Sequence, residues 1–163
     1  MIATTSGYTT TTTTTPSSPG LEFSPQPVWE ELITDTSETP INETHNIGTF
    51  TGNGTLNLPN GAEAINITST GSVVGSIADV TGVGKEVIST AGGTENATQK
   101  FFGIARFNME DGTGRAIVIA LVHTNSTGRL APLNDMILVG THEQDLNTPT
   151  ATFRYWEWQS GIQ

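Results

Sequence analysis

Between Gly48 and Trp158 the chain is cut into short segments by Gly, Asn, Asp and Pro, and within them apolar residues alternate or run continuously instead of following helical spacing. Thr55-Leu56-Asn57-Leu58 alternates, Pro59-Asn60-Gly61 turns, and Ala64-Ile65-Asn66-Ile67-Thr68 alternates again, as a hairpin requires. Val73 to Val80 and Lys85 to Thr90 are further strand candidates, divided by Gly82 and Gly84. Thr98 to Asn108 is a longer one, reversed by Glu110-Asp111-Gly112-Thr113-Gly114, and Ala116 to His123, Met136 to His142 and Thr150 to Trp158 complete the set. This punctuation predicts an all-β fold, an antiparallel β-barrel or sandwich of about seven or eight strands.

Two of these segments, Ala116 to Val122 and Met136 to Val139, are apolar on both faces. An antiparallel strand normally wets one face, so both faces here need cover. The sequence offers three sources: the Val28 to Ile33 stretch, the N-terminal arm, or a neighbouring subunit. Val28, Trp29, Leu32 and Ile33 fit helical spacing for a turn or two, which predicts a short helix lying across a sheet. Contiguous apolar surface left exposed would mark an interaction site.

Three zones follow: residues 1–20, a Thr-rich low-complexity arm; residues 21–47, a Pro-containing connector with one short helical turn; and residues 48–163, the β-barrel domain. The arm carries Thr at every position from 9 to 15 and cannot build a core alone. Its composition fits a flexible, O-glycosylated stalk. The stiffness of β-branched Thr also suits an extended strand that pairs with an open sheet edge. In that role Thr9, Thr11, Thr13 and Thr15 lie along the strand, and Ile2, Tyr8, Leu21 and Phe23 supply the large apolar contacts to a neighbour.

Charge removes several function classes. Six Lys plus Arg stand against sixteen Asp plus Glu, a net charge of -10, and no Lys or Arg occurs before Lys85. Such a surface repels phosphate backbones and anionic lipid, so nucleic acid is not an expected partner. Without cysteine there is no disulfide framework, zinc-thiolate site or cysteine nucleophile. No apolar run approaches the ~18 residues of a membrane-spanning helix. The basic-free start lacks the charged region of a secretory signal. Export is therefore read as leaving the signal peptide already absent from the chain.

Candidate chemistry is sparse. Five Asn-x-Thr sequons, at Asn42, Asn53, Asn66, Asn96 and Asn125, are glycosylation candidates on an exported chain, with Asn66 the poorest acceptor if it points inward. His123 and His142 near strand ends would need a carboxylate such as Glu143 or Asp145 to hold a metal, and solvent-facing histidines are the plainer reading. Asn108, Glu110 and Asp111 lack the ligand spacing of a calcium loop. There is no Gly-x-Ser-x-Gly elbow, and Gly82-Val83-Gly84-Lys85 opens no helix, so it is not a phosphate loop. Glu157 alternates with Trp156 and Trp158, in solvent or paired with Arg154 or Arg106, or else turned inward to a ligand. No catalytic residue, metal or cofactor is assigned.

The run from Arg129 to Gly140, containing Ala131-Pro-Leu-Asn134, together with Lys100 to Asn108, Asn125 to Gly128 and Trp156-Glu-Trp158, resembles a group of archaeal secreted β-barrel proteins. That resemblance covers roughly Gly48 to Trp158 and implies a small closed barrel of the calycin or allene-oxide-cyclase shape. It carries no catalytic residues across. The expected function is that of an extracellular structural protein, a self-assembling subunit of a glycosylated filament or surface layer. In this reading copies of the same chain and glycans are the partners, and N-terminal strand donation (donor-strand complementation) joins the subunits. One alternative is a small-molecule-binding or isomerase-like barrel with Phe102, Ile104, Arg106, Trp156 and Trp158 around its ligand. The other is a stalked surface glycoprotein.

Overall fold

The computed structural model describes residues 22–58, 63–76, 79–148 and 150–159. Among them are nine strands: β1 (Glu22–Phe23), β2 (Trp29–Pro40), β3 (His45–Leu56), β4 (Ile65–Ser76), β5 (Thr81–Thr90), β6 (Asn96–Asn108), β7 (Thr113–His123), β8 (Ile137–Asp145) and β9 (Ala151–Gln159). The only helical element among the described residues is the 3-10 turn Ala131–Leu133. Each strand from β2 to β9 pairs antiparallel with the next, and β9 returns to β2 through Trp29↔Tyr155 to Ile33↔Ala151. Eight strands thus close a barrel, and β1 is an extra strand on β9. Closure solves the edge problem that an open sheet of this length would carry.

Alternation sorts every stave into a lumen face and an outer face. The lumen is filled in tiers. At one end lies an apolar tier of Trp29, Leu56, Ile65, Ile67, Ile88, Ala97, Val122 and Leu138. Leu58, Leu130, Leu133 and Met136 seal that end. Burial of each such side chain stabilises the fold by about 1.5–3 kcal/mol. The seal is tied down by Glu95, whose carboxylate accepts the N–H of Leu130 at 3.0 Å, the N–H of Arg129 at 3.1 Å and the Ser126 hydroxyl. Those donors hold the Glu95 carboxyl below its ordinary pKa, Leu130 contributing most.

At the other end the lumen is lined by Phe50, Phe101, Phe153 and His142, none fully buried. Phe50 lies 6.3 Å from Phe101 and 6.4 Å from Phe153, ring centre to ring centre, and His142 stacks on Phe153 at 4.3 Å. The Phe50 ring occupies the space where a Gly71 side chain would begin, and the Tyr155 ring does the same over Gly140. Glycine is required at both positions by close approach of an aromatic ring.

The expected helical turn at Val28 to Ile33 is instead the start of β2. Trp29, Glu31 and Ile33 are buried and Glu30 and Leu32 exposed, a period of two. Pairing on both sides, with β3 and β9, satisfies this backbone better than a lone helical turn. The connector 21–47 therefore supplies barrel staves, and the barrel begins at Trp29, not Gly48. β2 runs on past Ala151, where β9 begins, and after a register shift between Ile33 and Asp35 its residues Asp35 to Pro40 are paired with β3 alone.

Candidate functional site

Two features stand out: a polar tier inside the barrel and an apolar band outside it. Between the apolar and aromatic tiers the lumen holds Glu31, Ser69, Glu86 and Gln99, each 3% exposed or less. Strand alternation forces these side chains inward, because Glu31 lies between Trp29 and Ile33, and Glu86 is two residues from Ile88. Ser69 donates its hydroxyl to Glu31, and Gln99 donates its amide Nε2 to Glu86. Tyr155, also fully buried, stands beside them, with its ring 5.2 Å from that of Trp29.

Electrostatics make this tier unusual. Burial pushes both carboxyls above the ordinary range, and Glu86 rises further because the Glu31 charge is its neighbour. Burial, then the charges of Glu86 and Glu31, also raise the Tyr155 phenol. Taken as two carboxylates, the pair leaves Glu31 Oε2 and Glu86 Oε1 without a donor; Gln99 Oε1 and Trp29 Nε1 are buried and unpartnered as well. Two carboxylates side by side in a dry lumen cannot both stay ionised. Each carboxyl therefore makes the other harder to ionise, and any charge left on the pair is buried. All six Lys and Arg are on the outer face or in loops, so no cation of the chain compensates it.

The outer face divides into two halves. Around β3 and β4 it is mostly Thr, Asn and Ser, with the exposed pair Ile47 and Val74 leading on to Val83, and across β5 to β8 it is apolar: Val83 pairs with Phe102, Phe102 with Ile119, Ile104 with Ile117, and Leu121 with Ile137. Ile117, Ile119 and Leu121 keep 63%, 53% and 52% of their surface exposed. The doubly apolar segments of the sequence are thus covered on the lumen side only. Like charges bracket the band: Lys85 is opposite Lys100, and Arg106 opposite Arg115. Placing like charges directly across a sheet is destabilising in the isolated chain.

Of the expected ligand-pocket residues, Phe102, Ile104 and Arg106 line one open groove with Ile117, Ile119, His142 and Glu143, and Trp156 and Trp158 are not part of it. Phe102 and Ile104 are exposed on the outer wall with Arg106, and Trp156 and Trp158 alternate outward with them. The aromatics that face the lumen are Trp29, Phe50, Phe101, Phe153 and Tyr155. His142 is turned into the lumen while His123 lies outside at the sealed end, within 4.0 Å of Asp135. No group of three or more His, Cys, Asp or Glu able to hold a metal occurs among the described residues. Asn108, Glu110 and Asp111 form a turn in which Asn108 Oδ1 accepts the N–H of Glu110 at 3.0 Å and its amide donates to Asp111 at 2.6 Å. Glu157 is half-buried on the lumen-facing side near the sealed end, and its N–H donates to the Ser24 hydroxyl at 3.1 Å.

All five sequon asparagines are exposed, Asn66 included, because alternation turns Ile65 and Ile67 inward. None of them falls within the apolar band. Of the expected subunit contacts, Phe23 is on β1 and 40% exposed. Ile2, Tyr8, Thr9, Thr11, Thr13, Thr15 and Leu21 lie outside the described residues. Among the described residues no helix is long and apolar enough to cross a membrane. No family model, curated protein or solved structure matches the chain.

Proposed function

We propose that this chain is a structural subunit that assembles head to tail into an extracellular filament or layer through its outer wall. The apolar band over β5 to β8, bracketed by cations, carries the reading. A second copy presenting the same band would set Lys85 and Lys100 against like charge, so a symmetric face-to-face dimer is disfavoured. The complementary surface is acidic with apolar residues inside it. On β1 and β2 the chain sets exposed apolar residues beside acidic ones, Phe23 next to Glu22 on β1 and Leu32 between Glu30 and Asp35 on β2. Arg154 on neighbouring β9 is held by Glu30 at 3.3 Å and Glu143 at 3.5 Å.

The order of the staves gives this pairing a direction. In a circle of eight strands β2 and β6 are four apart, on opposite sides of the barrel. A contact between two different faces set opposite one another repeats without closing, which is the geometry of a fibre. Strand donation by residues 1–20 is a further link within the same proposal. Sugar on Asn53 and Asn66, on the Thr-rich half, would leave the assembling faces clear.

A charge swap tests the reading. Variant one carries Lys85→Glu and Lys100→Glu; variant two carries Glu30→Lys and Asp35→Lys. Each alone should be monomeric by size exclusion and negative-stain microscopy, and an equimolar mixture should form alternating polymers. If either variant alone assembles like the parent, or the mixture stays monomeric, head-to-tail assembly through these faces is wrong.

A further inference from the structure

We propose that the free edge of β2, Asp35 to Pro40, is the acceptor for the Thr tract of a second copy, Thr9 to Thr15, which adds a strand there. This rests on the reading that the chain assembles, and it names the place where the arm docks. The closure that removes edges elsewhere stops at Ile33. Beyond the pair Ile33↔Ala151, β2 has no partner on that side among the described residues, while β3 goes on pairing with Asp35 to Pro40 from the other. In a strand paired on one side, alternate residues turn their N–H and C=O groups outward, and such a row is a template for another chain.

The wall of the barrel is incomplete at the same place. Pairing sets Thr36 opposite Phe50 and Glu38 opposite Gly48, so both belong to the lumen face, yet both are exposed. The aromatic tier at this end, Phe50, Phe101, Phe153 and His142, is only half-buried. One more strand beside Thr36 would turn every second side chain toward this tier and remove part of it from water.

Charge selects the occupant. Two such edges pairing with each other would bring Asp35 and Glu38 against like charge, and Pro40 has no N–H to give. Residues 1–20 contain no charged side chain, in a chain of net charge -10. Their Thr tract is β-branched and suits an extended strand. Threonine also hydrogen-bonds Thr and Ser across strands, as Ser37 and Thr49 do on the β3 side at 2.7 Å. Alternation groups Tyr8 with Thr10, Thr12 and Thr14 on the face that would meet the rings, and Thr11 and Thr13 on the outer face with Ser37.

The donor is a second copy because of reach. Glu22 pairs with Gln159 at the sealed end, whereas the free edge is at the aromatic end. Ile33 is level with Ala151, so an arm folding back from Glu22 to Ser37 would have to cover about 40 Å along the strands. The chain from Thr13 to Glu22 spans at most about 32 Å fully extended. The tract therefore falls short of its own edge and meets that of a copy stacked on the sealed end. A donor at one end and an acceptor at the other repeat without closing, along the barrel axis and across the direction of the wall contact.

The chain has no cysteine, so introduced cysteines report the contact directly. A strand this short holds weakly by itself, and covalent trapping reads it where size exclusion would not. Full-length Thr13→Cys and Ser37→Cys chains, mixed and oxidised, should give at least about tenfold more covalent dimer than Thr13→Cys mixed with Thr68→Cys. The excess should persist when both chains also carry Lys85→Glu and Lys100→Glu, which removes the wall contact. It should vanish when Thr10, Thr12 and Thr14 of the arm are replaced by Pro, a change that leaves every barrel strand untouched. No excess over the Thr68→Cys control overturns the proposal. So does Ser37→Cys alone dimerising as well as the mixture, which is edge-to-edge pairing, or an internal crosslink in the double variant Thr13→Cys/Ser37→Cys, which is an arm returning to its own barrel. An excess lost with Lys85→Glu and Lys100→Glu also overturns it, and leaves the wall contact standing.

Discussion

Replacing Ile119 by Asp places a charge at the centre of the apolar band, and its effect can be worked from exposure. Full burial of a Val, Leu, Ile or Phe side chain is worth about 1.5–3 kcal/mol. Ile119 keeps 53% of its surface exposed, Ile117 63%, Ile104 54%, Leu121 52% and Phe102 43%. Each therefore has about 1 kcal/mol still to gain in a contact. With Val83, Val87 and Ile137 on the same band and Phe23 and Leu32 on the opposing face, ten residues give about 10 kcal/mol gross. Lost translational and rotational freedom costs at least about 4–5 kcal/mol, leaving about 5 and a dissociation constant of order 0.2 mM. Ile119→Asp forfeits about 1 kcal/mol of contact and adds a carboxylate against an acidic partner, together about 2 kcal/mol or ~30-fold in affinity. Sedimentation velocity at about 0.5 mM should then show the parent associating and the variant monomeric. The monomer itself should lose little stability, because the site is already in water. Thr68→Asp on the Thr-rich half of the wall is the control and should associate like the parent. If Ile119→Asp associates like the parent, or the parent remains monomeric near 1 mM, the band is not an assembly surface.

Other outcomes follow from the lumen and the seal. Glu86 has its pKa raised on folding, so the native state binds more protons than the unfolded chain above the ordinary carboxyl range, and stability falls as pH rises from there. Glu86→Gln should flatten that fall and make the protein more stable than the parent at neutral pH, read as the urea midpoint against pH. His142 behaves oppositely: burial lowers its pKa from 6.5 to about 4, so stability is complete above the unfolded value and is lost as pH falls through that interval, by roughly 3 kcal/mol. His142→Phe should abolish the acid loss while keeping the stack on Phe153. Gly140→Ala would force a methyl into the Tyr155 ring and to 2.7 Å from the Arg154 carbonyl oxygen, and should cost about 3 kcal/mol or more in thermal unfolding. Glu95→Gln should lower hydrogen-exchange protection at Arg129 and Leu130, whose N–H groups the carboxylate accepts, without changing the exchange of the barrel strands.

The all-β class and most strand positions were legible because period-two alternation and turn residues act locally. The same locality explains the misreading at Val28 to Ile33. Val28, Trp29, Leu32 and Ile33 fit helical spacing, whereas the strand puts Glu31 inside and Leu32 outside, and only pairing with β3 and β9 decides for the strand. The aromatic assignments failed for a related reason. Adjacent Phe101 and Phe102 must face opposite sides of the wall, and nothing in their own letters says which of the two looks into the lumen. Glu31 and Glu86 did leave a trace, each set two residues from a large apolar neighbour, Ile33 and Ile88, on the face that turns inward.

By itself the sequence determined the alternation, the turns, the absence of cysteine and a charge of -10 with every cation after Gly84. It also made both faces of Ala116 to Val122 apolar. Tertiary structure decided which of those faces is covered and which residues are brought together. Closure through β9 and β2 made one face a sealed lumen and left the other in water. Register set Lys85 against Lys100 and Arg106 against Arg115. Curvature carried Glu31 and Glu86, 55 positions apart in the chain, into one buried pair whose charges oppose each other. Alternation is a property of neighbours along a chain, whereas the meeting of two carboxyls depends on how many strands close the circle and in what register, which no local segment encodes.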